Sequence, residues 1–198
     1  MQEKIDALVN KLAEKRWCVA EDFFSPTLCQ ELRDELLEHH NAQTLRAAQI
    51  GKNQQQQLLS DFRGDHILWL DGASAAQQAF LNLMEKYRQQ LNQELYLGLQ
   101  ELEAHFALYP AGTRYQKHLD SFQNNNLRRV TIVAYLNPHW CSEDQGELII
   151  YDKNDDVIAS VAPRTGTLVS FVSEDFPHEV STTQAQRASI AGWFRVRP

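Results

Sequence analysis

Val130-Thr131-Ile132-Val133-Ala134-Tyr135-Leu136 is apolar on nearly every residue. A run this short, rich in β-branched and aromatic side chains, predicts a strand covered on both faces. Shorter runs of the same texture follow at residues 148–151, 157–161, 167–172, 178–181 and 188–196. Turn-forming residues break them at Asn137-Pro138 and at residues 153–156, 163–166 and 173–177. Just upstream, Leu102, Ala104, Phe106 and Leu108 alternate with Glu101, Glu103, His105 and Tyr109. Many short strands with turn signals between them predict a sandwich or barrel over residues 101–198.

Residues 1–100 read differently. Ile5, Leu8, Val9 and Leu12 recur at helical spacing. Residues 17–24 look extended. Ser25-Pro26 reads as an N-cap with proline at the first helical position, and Leu28, Leu32 and Leu36 place one apolar stripe on the helix that follows. A third helix is predicted to start at Ser74, with Gln77 completing a capping box. It carries Phe80, Met84, Tyr87, Leu91 and Leu95, and Gly98 supplies its stop. Residues 51–59 include four consecutive glutamines and little to bury, so a projecting loop or hairpin is expected there. Arg63-Gly64-Asp65-His66-Ile67-Leu68-Trp69-Leu70 looks like a strand. With no internal repeat or linker, the expectation is a single domain, mainly β, with helices supporting one face.

Composition limits the function. The chain has 198 residues, 43% hydrophobic and 23% charged, as in an ordinary globular protein long enough to bury a core. No stretch approaches the roughly 18 apolar residues of a membrane span. Residues 1–16 are charged and amphipathic, without the apolar core of a secretory signal. The three cysteines are odd in number and scattered, which suits a reducing cytoplasm better than a disulfide framework. A net charge of −7 with no long basic run weighs against a nucleic-acid partner. No exposed heptad demands a dimer, so a monomer is expected.

The residues that carry chemistry are His118, Asp120 and, 58 residues after Asp120, His178. His118 and Asp120 are two apart, so on an extended segment they point to the same side. Two imidazoles and one carboxylate make the facial triad of non-haem iron(II) enzymes. A His-x-Asp triplet also arises by chance, and seven histidines make a later one unremarkable. Arg187 adds weight, because it opens the apolar run Ala188-Ser189-Ile190-Ala191-Gly192-Trp193-Phe194. A guanidinium aimed into that core needs an anion, and its planar fork suits a carboxylate. The alternative is a surface arginine at a strand start.

Several ordered motifs together resemble a known family. They are Arg63-Gly64-Asp65-His66-Ile67-Leu68-Trp69; Tyr109-Pro110 with Gly112 and Tyr115 leading into His118-Leu119-Asp120; Tyr135-Leu136-Asn137 with Trp140 and Gly146; and Pro177-His178-Glu179-Val180 leading to Arg187 and Trp193. Over residues 17–195 the chain resembles the 2-oxoglutarate- and iron(II)-dependent oxygenases. Within them it is similar to the prolyl hydroxylases related to the hypoxia-inducible-factor enzymes and their bacterial counterparts. The resemblance implies a double-stranded β-helix, or jelly-roll, core. It implies iron(II) held by His118, Asp120 and His178 as catalytic metal ligands, with dioxygen as cosubstrate and ascorbate in support. It further implies 2-oxoglutarate bound by Arg187 and Tyr135 at its distal carboxylate, with Tyr109 near the iron-proximal end. Val133, Leu148, Val180 and Trp193 would line the pocket, though each is also an ordinary core residue. Arg63 and Asp65 match substrate positions at the mouth of the site, which makes residues 51–64 a candidate lid.

The implied reaction is hydroxylation of a prolyl residue in a protein, with release of succinate and carbon dioxide. For bacterial members the implied partner is a translation elongation factor, elongation factor Tu. Two other functions stay open on the residues: the same chemistry on a small molecule such as a free amino acid, and a non-catalytic jelly-roll binding module. Three positions depart from the family pattern. The glutamine run matches nothing in it. His105 shares a face with Tyr109 where an apolar residue is expected, and a structural role suits it better than a fourth ligand. Gln145 stands before Gly146 where a second glycine is common, which concerns a turn more than the chemistry.

Overall fold

The computed structural model describes residues 1–48, 62–121 and 127–197. The loop or hairpin expected over residues 51–59 lies outside them, as does most of the candidate lid. In chain order the elements are α1 (Gln2–Lys15), β1 (Trp17–Ala20), α2 (Pro26–Asn41), β2 (Arg46–Ala47), β3 (His66–Trp69), α3 (Ala75–Leu95), β4 (Glu101–Tyr109), β5 (Tyr115–His118), β6 (Arg128–Tyr135), β7 (Leu148–Tyr151), β8 (Val157–Val161), β9 (Leu168–Val172), β10 (His178–Val180) and β11 (Arg187–Arg195). The strands form two antiparallel sheets. The larger runs β1-β9-β6-β11-β4-β3-β2 and the smaller β5-β10-β7-β8. This is the mainly-β, helix-supported architecture of a double-stranded β-helix.

The central strands of the larger sheet bury both faces, as the unbroken apolar run at residues 130–136 predicts. One face packs on the helices. Phe106 and Leu108 of β4, Val130 and Ile132 of β6, and Ile190 and Phe194 of β11 meet Ile5, Leu32, Phe80 and Met84 there. The other face looks into the sandwich, where Ala107, Tyr109, Val133, Tyr135, Val169 and Phe171 meet Leu148, Ile150 and Val180 of the smaller sheet. The period-two alternation of a strand therefore sorts each central strand into a scaffold set and a cavity set. β4 carries this further than its sequence implies: every residue from Ala104 to Tyr109 is buried. The acidic half of its alternation is confined to Glu101 and Glu103.

Local details correct three expectations. The extended reading of residues 17–24 holds only for β1; Asp22 turns the chain with φ 51°. Ser74 caps α3 by accepting from the Gln77 N–H at 3.0 Å, but the box is half made. The Gln77 side chain instead accepts from the N–H groups of Asp71 and Gly72 and donates to Glu35. The α3 terminus is set by Tyr96 in the left-handed region, φ 54°, two residues before Gly98. At the end of the predicted lid, Gly64 N–H donates to the Arg114 carbonyl and Gln116 N–H to that of Phe62, so residues 62–64 are paired to β5. Gly64 is needed at this crossing, because a Cβ there would lie 2.5 Å from Thr113 Cβ.

Candidate metal and cofactor site

β5 and β10 bring two imidazoles together. They pair antiparallel with His118 opposite His178, so residues distant in sequence become cross-strand neighbours. Asp120 follows β5 by two residues and is buried. Its Oδ1 lies 3.6 Å from His118 Nε2 and its Oδ2 lies 3.5 Å from His178 Nε2. One donor atom from each of the three residues falls within 4.8 Å of the others. Among the described residues, no other cluster of three His, Cys, Asp or Glu has this geometry.

The hydrogen bonds behind these atoms fix which nitrogen faces inward. His118 Nδ1 donates to the Gln116 carbonyl at 2.7 Å, and His178 Nδ1 to the Phe176 carbonyl at 3.0 Å. A carbonyl only accepts, so each Nδ1 carries the proton and each Nε2 keeps its lone pair for a metal. Burial pushes the His178 imidazole toward its neutral form, the form that ligates. Burial alone would raise the Asp120 carboxyl, but His178 and His118 outweigh it and hold it well below the usual carboxylate range. Thr131 Oγ1 donates to Asp120 Oδ2 at 2.8 Å and lies 2.9 Å from Ser173 Oγ. This donor set and its supports fit iron(II).

Arg187, at the start of β11, is 1% exposed. Its Nε donates to the Gly146 carbonyl at 2.8 Å and its Nη1 to Ser189 Oγ at 3.3 Å. Its Nη2 is buried with no partner, and so is the Tyr135 hydroxyl. The guanidinium carbon lies 5.1 Å from the ring centres of both Tyr109 and Tyr135. Burial raises the Tyr135 phenol to about 12, against the pull of Arg187, so it keeps its proton. A buried cation and a buried hydroxyl with donors to spare call for a carboxylate between them. That fits the distal end of 2-oxoglutarate.

A cavity joins these two groups. Its walls include His118, Asp120, His178 and Arg187 together with Tyr109, Val133, Leu148, Val180 and Trp193. Tyr135, expected in the pocket, is not part of this wall; its ring centre lies 5.1 Å from the Arg187 guanidinium carbon. Arg63 and Asp65 also stand in its wall, but differently from the expectation of a rim. Asp65 is 1% exposed and takes a forked ion pair from Arg63, Nε to Oδ1 at 2.6 Å and Nη2 to Oδ2 at 2.9 Å. Asp65 overcomes the burial of Arg63 and holds that guanidinium firmly charged. Sequence reading missed Thr131, Ser189 and Tyr115 in this wall. The signal for the first two was present: each is a small hydroxyl residue inside an otherwise mainly apolar run.

Comparison with known proteins agrees with this geometry. The 2OG-Fe(II) oxygenase superfamily matches residues 104–195, which hold the triad and Arg187. A prolyl-4-hydroxylase from Pseudomonas putida superposes with a TM-score of 0.89 at 35% identity, covering 98% of this chain and 100% of that one. A prolyl hydroxylase from Trichoplax adhaerens, solved with a hypoxia-inducible-factor peptide, gives 0.83 at 26% identity over 98% of this chain and 91% of that one. Human Egl nine homolog 1 is 29% identical over 185 residues, 89% of this chain but 43% of its own length, so the chain spans about half of this curated relative. Since the similarity to the Pseudomonas enzyme runs the full length of both chains, this protein belongs to the 2OG-Fe(II) oxygenase superfamily, as a homologue of its prolyl hydroxylases.

Proposed function

We propose that the chain is a dioxygenase that uses iron(II) and 2-oxoglutarate to hydroxylate a prolyl residue of a protein, with elongation factor Tu as the first substrate to test. The carrying observation is a pair of buried, unpartnered donors: Arg187 Nη2, in the wall of the cavity that the triad lines, and Tyr135 Oη, on a ring centred 5.1 Å from that guanidinium carbon. The prolyl hydroxylase names of the relatives and the peptide held by the Trichoplax enzyme support the substrate class. So does Trp69, 50% exposed, which packs edge-on against the cavity residue His105 and offers an apolar contact to a larger substrate. The free Cys18, Cys29 and Cys141 support a reducing, cytoplasmic setting.

His118, Asp120 and His178 would hold the metal. When bound, iron(II) with 2-oxoglutarate and dioxygen supplies the oxidising power to hydroxylate an unactivated C–H bond, releasing succinate and carbon dioxide. The chain's own residues bind and orient. Arg187 and Tyr135, both buried, would give the distal carboxylate charge-assisted hydrogen bonds. Gly146 lets its carbonyl hold Arg187 Nε, which aims the remaining donors inward. Thr131 fixes one oxygen of Asp120. Val133, Leu148, Val180 and Trp193 keep the walls apolar and shape where substrate can sit.

The test is purified protein incubated with iron(II), 2-oxoglutarate, ascorbate and elongation factor Tu, followed by peptide mass spectrometry. One added oxygen atom on a proline, absent with His178→Ala, is the expected result. Succinate formed with a small molecule, and no hydroxylated proline on any protein candidate, would reject the prolyl reading and favour a free amino acid as substrate.

A further inference from the structure

His105 is a buried imidazole that the scheme above leaves without a task. It stands on the cavity face of β4, with Trp69 edge-on at 5.0 Å and Trp193 at 5.6 Å between ring centres. Its Nδ1 lies 3.0 Å from the Phe106 carbonyl, which only accepts, so Nδ1 carries a proton. Its Nε2 faces Arg63 Nη2 at 3.5 Å. A guanidinium has no acceptor, so this approach is attractive only if Nε2 offers a lone pair. A doubly protonated ring would set two cations against each other. Burial and the Arg63 charge push the imidazole down to about 4, in the same direction.

Arg63 is the next member of a column. Its two bonds to Asp65 fix one edge of the guanidinium. A third contact, from His105, adds to that hold. The Arg63 Cζ lies 4.7 Å from the Tyr115 ring centre. The Tyr115 ring stacks on His118, 3.7 Å between centres and 16° between planes. The Gln116 carbonyl holds the edge of the His118 ring, and Tyr115 holds its face.

The geometry points to His105 as a positioning residue: as a neutral acceptor it fixes Arg63, and through the Arg63–Tyr115–His118 stack it sets the orientation of a metal-binding imidazole. The inference rests on the proposed function only for what the triad holds.

The test separates acceptor from filler and needs no prolyl substrate. Nitrogen-15 NMR of the metal-free protein near neutral pH reads the His105 tautomer directly. A neutral ring with the proton on Nδ1 is expected, and a proton on Nε2 overturns the inference even if every variant misfolds. Mn(II) binding to metal-free protein, followed by electron paramagnetic resonance, supplies the second readout. His105→Leu keeps the packing between the tryptophans but has no acceptor. It should weaken Mn(II) binding about 3–10-fold, less than the roughly 10–100-fold of a group bonded directly to a ligand. His105→Gln, whose amide oxygen can accept, should return to within about twofold of wild type on the same scale. Equal Mn(II) affinity in wild type and His105→Leu, or equal loss in both variants, overturns it. A wild type that binds no Mn(II) would sink the oxygenase reading and this inference with it. A wild type that binds Mn(II) with the expected pattern but modifies no proline would sink only the substrate assignment.

Discussion

Tyr135 and Arg187 lie 5.1 Å apart, ring centre to guanidinium carbon, and each buries one polar atom that has no partner. A site built this way is less stable empty than it could be. Replacing Tyr135 with Phe removes an unsatisfied hydroxyl and should stabilise the ligand-free protein by about 1 kcal/mol. The same change should weaken 2-oxoglutarate binding by about 1–1.5 kcal/mol, or roughly tenfold. Urea unfolding and calorimetric titration measure the two effects, and their opposite signs are the signature. A loss of stability in Tyr135→Phe would mean that the hydroxyl is not idle in the free protein.

Thr131 places a hydroxyl on Asp120 Oδ2 and on Ser173. Thr131→Val keeps the shape of the side chain and deletes that donor. Metal affinity should fall about tenfold, as for other groups that hold a ligand in place, and Thr131→Ser should restore most of it. Equilibrium dialysis against a divalent metal buffer reads this without turnover.

Gly146 adopts φ +73°, and a Cβ there would stand 2.9 Å from Thr183 Cβ and 3.2 Å from Arg187 Cδ. Gly146→Ala should therefore cost about 1–3 kcal/mol and displace Arg187, raising the concentration of 2-oxoglutarate needed for half saturation. Its neighbour Gln145 holds φ 54° and ψ −144°, a conformation that glycine reaches freely. Gln145→Gly should stabilise the fold by about 1 kcal/mol with no change in cofactor affinity. Thermal unfolding of the two variants should move in opposite directions.

Acid should unfold the protein early, in part through His105. An unfolded histidine takes its proton near 6.5, whereas burial holds the folded His105 at about 4. The neutral-ring contribution is therefore complete above pH 6.5 and is lost as the pH falls toward 4. Between pH 7 and pH 5 this one residue should remove about 2 kcal/mol of stability. His178, also pushed down by burial, acts in the same direction. Unfolding free energy against pH should be flatter by about that amount in His105→Leu.

The parts of this fold legible in the sequence were those where one period governs a whole element. The α3 stripe of Phe80, Met84, Tyr87 and Leu91 and the two-faced run at residues 130–136 belong there. Helix ends were less legible, because they are settled by competition. Gln77 had both the Ser74 backbone and Glu35 on offer and took the tertiary partner, and Tyr96 accepted a left-handed conformation before Gly98 was reached. At the site, the donors were legible from residue identity and spacing: His118 and Asp120 two apart, a later His178, and Arg187 opening an apolar run. What supports them was not announced. Thr131 acts through hydroxyl contacts to Asp120 and Ser173, residues far from it in sequence, and Tyr115 through a ring stack on His118 that spacing alone does not reveal. Asp65 was expected at the mouth because motif position says nothing of which way a side chain turns; the Arg63 fork draws it inward.

The pairing of His118 with His178 has a mechanical corollary. β5 is a four-residue strand at the margin of the smaller sheet, and its neighbour β10 carries the opposing imidazole. Whatever grips both rings is a rivet through that seam. Protease nicking near residues 113–121 then becomes a gauge of metal occupancy, slow when the rivet is set and fast when a chelator draws it out.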